Sequence, residues 1–224
     1  MEIFKKNNSF NDIIGQEETK KQLRSALITD RHVILVGPPG IGKTTLAKNV
    51  AKLLPEIEAN KCPYNCDPKD PICPECKLKK KFEIKKISGL QRFIRIQGSP
   101  DLTVEDLIGD IDPIKAANLK LSYADERVIH YGIIPRSNRS IFVINELPDL
   151  QARIQVALFN ILEEGDVQIR GFKIRLPLDI LFVFTANPED YTNRGAIVTP
   201  LIDRIESQIL THYPKSLENA LEIT

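Results

Sequence analysis

The stretch GPPGIGKT at residues 37–44 constrains the fold of this chain more than any other feature. It follows the apolar run HVILVG (32–37), which indicates a buried strand. It precedes KTTLAKNVAKLL (43–54), whose apolar residues have helical spacing up to Pro55. The pattern G-x-x-x-x-G-K-[ST] in this context is typical of a phosphate-binding loop. A glycine-rich turn without a ligand is the competing interpretation, and it leaves the complete strand–loop–helix unit unexplained.

Each part of this loop has a predicted role. Glycines let backbone N–H groups close around phosphates, and the helix N-terminus adds donors and a partial positive charge. Lys43 is predicted to reach the β- and γ-phosphates of ATP, and Thr44 to offer its hydroxyl to Mg²⁺. The loop residues expected to contact the nucleotide are Gly37, Pro38, Pro39, Gly40, Ile41, Gly42, Lys43, Thr44 and Thr45.

Further strands and helices alternate along the chain. An amphipathic helix is predicted over 151–165, and period-two alternation around Gly171 predicts a hairpin over 166–177. Strands that alternate with helices imply a parallel sheet covered on both faces. The other predicted strands are FIRIQ (93–97), IFVIN (141–145) and ILFVFTAN (180–187).

The strand IFVIN ends in Asn145 and Glu146, where a P-loop ATPase usually carries two acidic residues. We expect Glu146 to be the catalytic base and Asn145 to contact Mg²⁺ through water, as a weakened ligand. An uncharged residue at this position leaves three interpretations open: a working ATPase, a crippled one and a nucleotide-binding switch. Asp149, three residues further on, is expected to cap the helix that follows.

Four cysteines lie together in the spacing Cys62-x3-Cys66-x6-Cys73-x2-Cys76. Two short-spaced pairs can converge on one ion, which predicts a structural zinc site with no open position for catalysis. An iron–sulfur cluster and a pair of disulfides are the alternatives. The lysine-rich run KLKKKFEIKK (77–86) is either a solvated face or a contact for nucleic acid or an acidic partner.

Composition sets outer limits. The 224 residues suffice for one large α/β domain, and the net charge of +1 gives no global attraction to nucleic acid or membranes. No apolar run approaches the roughly 18 residues of a membrane span, and the first residues have no secretory apolar region. A cytoplasmic protein is therefore expected.

With these motifs in order, the sequence resembles an AAA+ ATPase, more narrowly the magnesium chelatase ATPase subunit and MoxR-type proteins. The resemblance covers about residues 10–213. The segments that carry it, besides the motifs above, are FNDIIGQEETKKQL (10–23), GSPDLTVEDLIGDIDPIKA (98–116), GDVQIRGFKIRLP (165–177), FTANPED (184–190) and TPLIDRIE (199–206).

The resemblance implies a P-loop core with a central parallel five-stranded sheet, helices on both faces and β-hairpin inserts. The cysteine spacing adds a small metal-binding knuckle to this expected fold. It implies that the backbone near Ile14 contacts adenine, that Asn187 senses the γ-phosphate and that Arg204 is an arginine finger. Asn187 as a turn residue and Arg204 as a surface salt-bridge residue are the alternatives. Arg194 is expected in a solvated loop, with an interface role as the alternative.

The implied activity is ATP hydrolysis by a homo-oligomeric ring, a hexamer, that remodels a protein client. A partner with a metal-ion-dependent adhesion domain is also implied. A clamp-loader- or helicase-like nucleic-acid ATPase is the competing function. The implied domains are an ATPase core (1–213), a metal-binding insertion (60–86) and the start of a helical lid (214–224). Because little of a lid follows the core, weaker binding and slow turnover are expected.

Overall fold

The computed structural model describes residues 10, 12–78, 82–123, 125–165, 167, 169, 176–192, 196–214, 218–219 and 221. Within them, strands and helices alternate as predicted. The helices are α1 (Glu17–Ile28), α2 (Lys43–Leu53), α3 (Pro74–Leu78), α4 (Val104–Leu107), α5 (Pro113–Leu119), α6 (Ile133–Arg136), α7 (Ala152–Glu164), α8 (Pro188–Thr192) and α9 (Thr199–Arg204). The strands are β1 (Val33–Val36), β2 (Ile57–Asn60), β3 (Ile84–Ile87), β4 (Phe93–Gln97), β5 (Gly109–Ile111), β6 (Ile129–Tyr131), β7 (Ser140–Asn145), β8 (Ile180–Ala186) and β9 (Ser207–Leu210).

Five strands form the central sheet in the order β4-β7-β8-β1-β9, and all neighbours are parallel. The predicted five-stranded parallel sheet is therefore confirmed. Four of its strands match the predicted runs to within one residue at each end. The fifth, β9, was not recognised as a strand because it lies at the sheet edge, where Ile209 is its one buried side chain.

Strand β1 shows why both faces of the sheet are covered. Its four residues are all buried, and successive side chains of a strand point to opposite faces. Val33 and Leu35 pack in a cluster with apolar residues of α1 and α2. Ile34 and Val36 pack in a second cluster, which contains apolar residues of α7. Helices on both faces of the sheet are thus confirmed.

The two long predicted helices are present. Helix α2 ends where Leu54 turns to an extended conformation ahead of Pro55, since the residue before a proline disfavours helix. Helix α7 ends at Gly165, whose φ of 66° closes the last turn. Both boundaries agree with the glycine and proline signals in the sequence.

Two antiparallel hairpins interrupt the alternation. Strands β2 and β3 pair around the cysteine segment, and β5 pairs with β6 around α5. The hairpin predicted over 166–177 falls mostly on residues outside those described, as does the lid expected at 214–224, and both stay predictions. No helix in the described ranges is both long and apolar enough to cross a bilayer.

Candidate functional site

A cavity of about 340 Å³ lies at the carboxyl edge of the central sheet. In a parallel sheet the residues that follow each strand meet at this edge, which is where α/β folds place their ligands. The loop after β1 and the ends of β4, β7 and β8 therefore converge. The lining residues are Pro39, Gly40, Ile41, Gly42, Lys43, Thr44, Gln97, Asn145, Glu146, Thr185 and Asn187.

The loop before α2 has the shape of an anion cradle. Gly40 and Gly42 adopt φ angles of 75° and 87°, a region that side chains other than glycine rarely enter. A Cβ atom at Gly40 would meet nothing within 4 Å, so the space above the loop is open. Gly42 is the N-cap of α2 and supplies no side-chain acceptor, which leaves N–H donors of the first turn for a ligand. The residues present thus fit a phosphate group.

Lys43 is held inside this cradle. Its ammonium donates to the carbonyl oxygens of Gly37 and Pro38, the latter at 2.9 Å, and to Asn187 Oδ1 at 3.2 Å. Partial burial lowers the pKa of Lys43, and the nearby Glu146 carboxylate opposes that shift. The sequence prediction placed Lys43 and Asn187 at one site, and the structure brings them into contact.

Thr44 and Asn145 form the second contact between distant motifs. Thr44 Oγ1 donates to Asn145 Oδ1 at 3.2 Å, and Asn145 is 9% exposed at the end of β7. A hydroxyl and an amide oxygen side by side are hard donors of the kind Mg²⁺ prefers. The donor set therefore fits a magnesium ion and its water shell, although it lacks a carboxylate.

Glu146 occupies a constrained position. Its backbone has φ 54° and ψ 58°, an uncommon conformation for a residue with a side chain. Its N–H donates to Thr185 Oγ1 at 3.1 Å, and its carboxylate accepts from Gln97 Nε2. Gly98 packs so closely that a Cβ atom there would lie 2.2 Å from the Glu146 carbonyl oxygen. The carboxylate is thus held at the cavity wall.

Gln97 and Gly98 are site residues that the sequence motifs do not mark. Gln97 ends β4 and Gly98 follows it, and only the strand order places β4 beside β7. The one signal in the sequence is that the predicted strand FIRIQ ends in a polar residue, Gln97. Nothing in the sequence shows which strand lies next to it in the sheet. The expectation that Asp149 caps α7 is wrong: the N-cap is Gln151, and the Asp149 N–H donates to the Glu146 carbonyl oxygen within a 3-10 turn.

Asn187 and Ile14 lie on two sides of the loop. Asn187 Nδ2 donates to Asp190 Oδ2 at 3.2 Å, while its carbonyl oxygen accepts from Lys43. Ile14 lines an adjoining cavity of about 450 Å³, which shares Gly40 and Ile41 with the first. The arrangement places a second pocket, lined by apolar and polar residues, next to the cradle, where a nucleotide base would lie beside its phosphates.

Arg204 is outside the lining of this cavity. It ends α9, forms an ion pair with Glu163 of α7 and lies 5.8 Å from the centre of the Phe159 ring. Its side chain is 48% exposed. The structure therefore shows an intramolecular partner for Arg204. Arg194 lies outside the described residues.

The four cysteines form a closed sulfur cluster between β2 and β3. Their sulfurs lie within 4.8 Å of one another, and all four side chains are buried free thiols. Backbone N–H groups of Cys66 and Cys76 point at the sulfurs of Cys62 and Cys73, at 3.5 and 3.4 Å. Asn60 Nδ2 lies 3.6 Å from Cys76 Sγ. Hydrogen bonds from the Cys66 and Cys73 thiols lower the pKa of Cys62, which favours a thiolate there.

The cysteine segment is fastened to the amino end of β7. Asn138 Nδ2 donates to the Tyr64 carbonyl oxygen at 3.1 Å, and Arg139 pairs with Asp67 at 3.3 Å. Arg139 also donates to the Glu58 carbonyl oxygen at 2.8 Å. The cluster therefore lies at the opposite end of β7 from Asn145.

This fold and site define the chain as a P-loop nucleotide-binding α/β protein. A family profile described as AAA domain (dynein-related subfamily) matches residues 82–205, and one described as magnesium chelatase, subunit ChlI, matches residues 9–64. The first match covers more than half of the chain. The chain belongs to the AAA domain family, dynein-related subfamily.

Individual relatives show more specifically which proteins the chain resembles. The chain is 32% identical over 201 residues to a magnesium-chelatase subunit ChlI homolog of Methanocaldococcus jannaschii, over 87% of this chain and 52% of the relative. It is 28% identical to the magnesium-chelatase 38 kDa subunit of Cereibacter sphaeroides, over 98% of this chain and 63% of the relative. The resemblance to the magnesium chelatase ATPase subunit is thus confirmed, and the chain spans about half to two thirds of the length of these relatives.

A solved structure agrees in fold. A cryo-EM-based complex between subunits BchI and BchD of magnesium chelatase superposes with a TM-score of 0.70 at 24% identity. The superposition covers 96% of this chain and 64% of the compared chain.

Proposed function

We propose that the chain is the ATP-binding and ATP-hydrolysing motor unit of a magnesium chelatase-type AAA+ assembly, which remodels a protein client or partner complex. The observation that carries this proposal is the convergence of Lys43, Thr44, Asn145, Glu146 and Asn187, from separate segments of the chain, on one cavity. The family membership and the chelatase relatives support it.

The site residues divide the work of phosphoryl transfer. Lys43 and the loop N–H groups bind the β- and γ-phosphates, and Asn187 orients the γ-phosphate from the end of β8. Thr44 would hold Mg²⁺, and Asn145 would hold it through water. When bound, the ion would supply positive charge that offsets the negative charge of the phosphates. Glu146 accepts the proton of the attacking water.

Asn145 weakens this site without removing its base. A charged hydrogen bond contributes roughly 1.5–3 kcal/mol, against about 1 kcal/mol for a neutral one. The missing charge thus costs about 1–2 kcal/mol, or about tenfold in magnesium affinity. Glu146, Lys43 and Asn187 remain in place, which favours a working but slow ATPase over a switch.

Arg204 acts in a neighbouring subunit in this proposal. It does not line the nucleotide cavity of its own subunit. Its half-exposed guanidinium can leave Glu163 and bind a phosphate of the neighbouring subunit's nucleotide across an interface. An exposed ion pair contributes only about 0–1 kcal/mol of stability, so breaking the pair with Glu163 costs little free energy. The corresponding assembly is a ring, a hexamer.

The cysteine cluster holds one structural zinc ion in this proposal. Zn–S bonds of about 2.3 Å place tetrahedral sulfurs about 3.8 Å apart, within the spacing limit seen here. Such an ion folds a short polar segment that has little core of its own. The four buried sulfurs leave no ligand position open to substrate.

Replacing Lys43 by alanine is expected to weaken ATP binding by at least about a hundredfold, because the loop loses its cation for the β- and γ-phosphates. Isothermal titration calorimetry in Mg²⁺ measures this. Lys48→Ala, on the exposed side of α2, is the matched control and should bind like the wild type. Equal affinities for Lys43→Ala and the wild type refute the site.

Glu146→Gln is expected to keep ATP binding but to lower turnover by about 10²–10⁴-fold, the usual contribution of a general base. Asn145→Asp should lower the magnesium concentration for half-maximal turnover about tenfold. Phosphate release by the assembled protein at varied Mg²⁺ measures both. If the wild type in excess Mg²⁺ turns over ATP no faster than Glu146→Gln, the chain is a nucleotide-binding switch and not a motor.

Arg204→Ala is expected to bind ATP normally yet lose most turnover, because the finger serves the neighbouring site. Mixing Arg204→Ala subunits with Glu146→Gln subunits should restore part of the activity, since some interfaces then combine an intact base with an intact finger. Arg153→Ala, an exposed arginine of α7, controls for lost charge. An Arg204→Ala protein with full turnover as a monomer contradicts both the finger and the ring.

Elemental analysis of protein purified without oxygen should give about one zinc ion per chain, and Cys73→Ser should lose it. Thr199→Ser, far along the chain from the cluster, is a control that should keep its metal. Iron with a coloured absorbance band indicates a cluster instead. No metal together with the loss of free thiols indicates disulfides.

A further inference from the structure

A small groove separates the cysteine segment from the β5–β6 insert. Its cavity of about 160 Å³ lies between α3 and α5. Water occupies about 30 Å³ per molecule in the liquid, so the space equals about five waters and admits one bulky apolar side chain. We call it the knuckle groove; Leu78 and Leu119 line its walls, and Tyr64 and Tyr131 pack edge to face beside them.

The cysteine cluster shapes one side of the knuckle groove. Tyr64 stands between Cys62 and Cys66 in the sequence, and Leu78 follows Cys76 by two residues in α3. An ion that fixes the four sulfurs therefore fixes this wall. The opposite wall belongs to α5, whose N-terminus is capped by Asp112.

The rim of the knuckle groove is unusually apolar for a surface. Leu78 is 74% exposed and Leu119 50%, on two short helices that face one another across the cavity. Ile114, 72% exposed, belongs to α5 but lies outside the lining of the groove. Single exposed apolar residues are ordinary, but a contiguous group around a cavity marks a contact surface. None of these three residues belongs to the lining of the nucleotide cavity.

Charge around the knuckle groove favours an acidic occupant. Lys115 lines the cavity. Lys77 lies in α3 and Lys120 is the C-cap of α5, both outside the lining but next in sequence to the lining residues Leu78 and Leu119. Within the described part of the chain, none of these three lysines forms an ion pair with an acidic side chain. Arg127, also in the lining, pairs with Asp125 at 2.6 Å. Glu75 is the one acidic residue of the lining.

We propose that the knuckle groove docks a short acidic segment of a partner protein, with one bulky apolar side chain in the cavity and carboxylates on Lys115, Lys77 and Lys120. The proposal rests on the metal-bound cysteine segment proposed above. Nucleic acid fits less well, because stacking on bases needs exposed ring faces. Tyr131 is only 6% exposed, and its ring packs against the Tyr64 ring at 5.0 Å.

Fluorescence anisotropy with the metal-loaded protein tests this. The probe is a labelled short peptide of glutamate and serine with one central leucine. Peptides with the leucine replaced by serine, or the glutamates by lysine, and a labelled single-stranded oligonucleotide are compared with it. The acidic leucine peptide should bind at least about tenfold more tightly than the other two peptides.

Variants locate the binding. Leu119→Ser and Lys115→Glu should each weaken binding of the acidic leucine peptide about tenfold or more. Leu90→Ser and Lys21→Glu, an exposed leucine and an exposed lysine elsewhere, should not change it. ATP affinity, measured on every variant, should stay at the wild-type value, which separates lost docking from misfolding and from failure of the nucleotide site.

Metal content is measured in parallel. If the protein carries the metal and the peptide binds equally well after chelation, the metal does not shape the groove and the proposal fails. It also fails if no peptide binds the metal-loaded protein, if the oligonucleotide binds in place of the peptide, or if the Leu90→Ser control weakens binding as much as Leu119→Ser. A protein without any metal overturns the zinc site independently of these peptide results.

Discussion

Backbone hydrogen bonds that pair β1 with β8 bring Val36 level with Ala186, so the chain leaves both strands side by side. The same parallel alignment sets Gln97 beside Asn145 at the ends of β4 and β7. Every contact of the nucleotide cavity depends on this alignment, because its residues come from four segments of the chain. In antiparallel pairing the same residues would lie at opposite edges of the sheet.

Sequence patterns predicted the elements that make the site because those elements are local. A buried strand, a glycine loop and a helix follow one another without interruption around Lys43, and the apolar run of IFVIN indicates the strand that Glu146 follows. Gln97 and Gly98 could not be found in this way, since their roles depend on strand order. The ion pair of Arg204 with Glu163 likewise joins residues 41 positions apart, and no local pattern encodes it.

The strand β7 joins the two chemically distinct ends of the molecule. Its six residues are all buried, between the cysteine segment at the amino end and Asn145 at the carboxyl end. Asn138 and Arg139, just before it, carry the bonds to the cysteine segment. A buried strand paired on both sides is among the last elements to open locally. The cysteine segment is therefore attached to a rigid part of the α/β core, and a partner docked there would be held in a fixed orientation to that core.

The asparagine at position 145 changes the electrostatics of the cavity in two opposing ways. Among the described residues that line it, Glu146 is the one carboxylate and Lys43 the one ammonium. An aspartate at 145 would attract magnesium more strongly, but it would also place two like charges on adjacent residues, and like charges oppose each other's ionisation. The amide removes that repulsion and keeps an acceptor, now occupied by the Thr44 hydroxyl at 3.2 Å. Among the described lining residues, the amide therefore leaves Glu146 as the one negative charge beside Lys43. In the proposed function, the lower affinity for magnesium is compensated by a higher concentration of the metal.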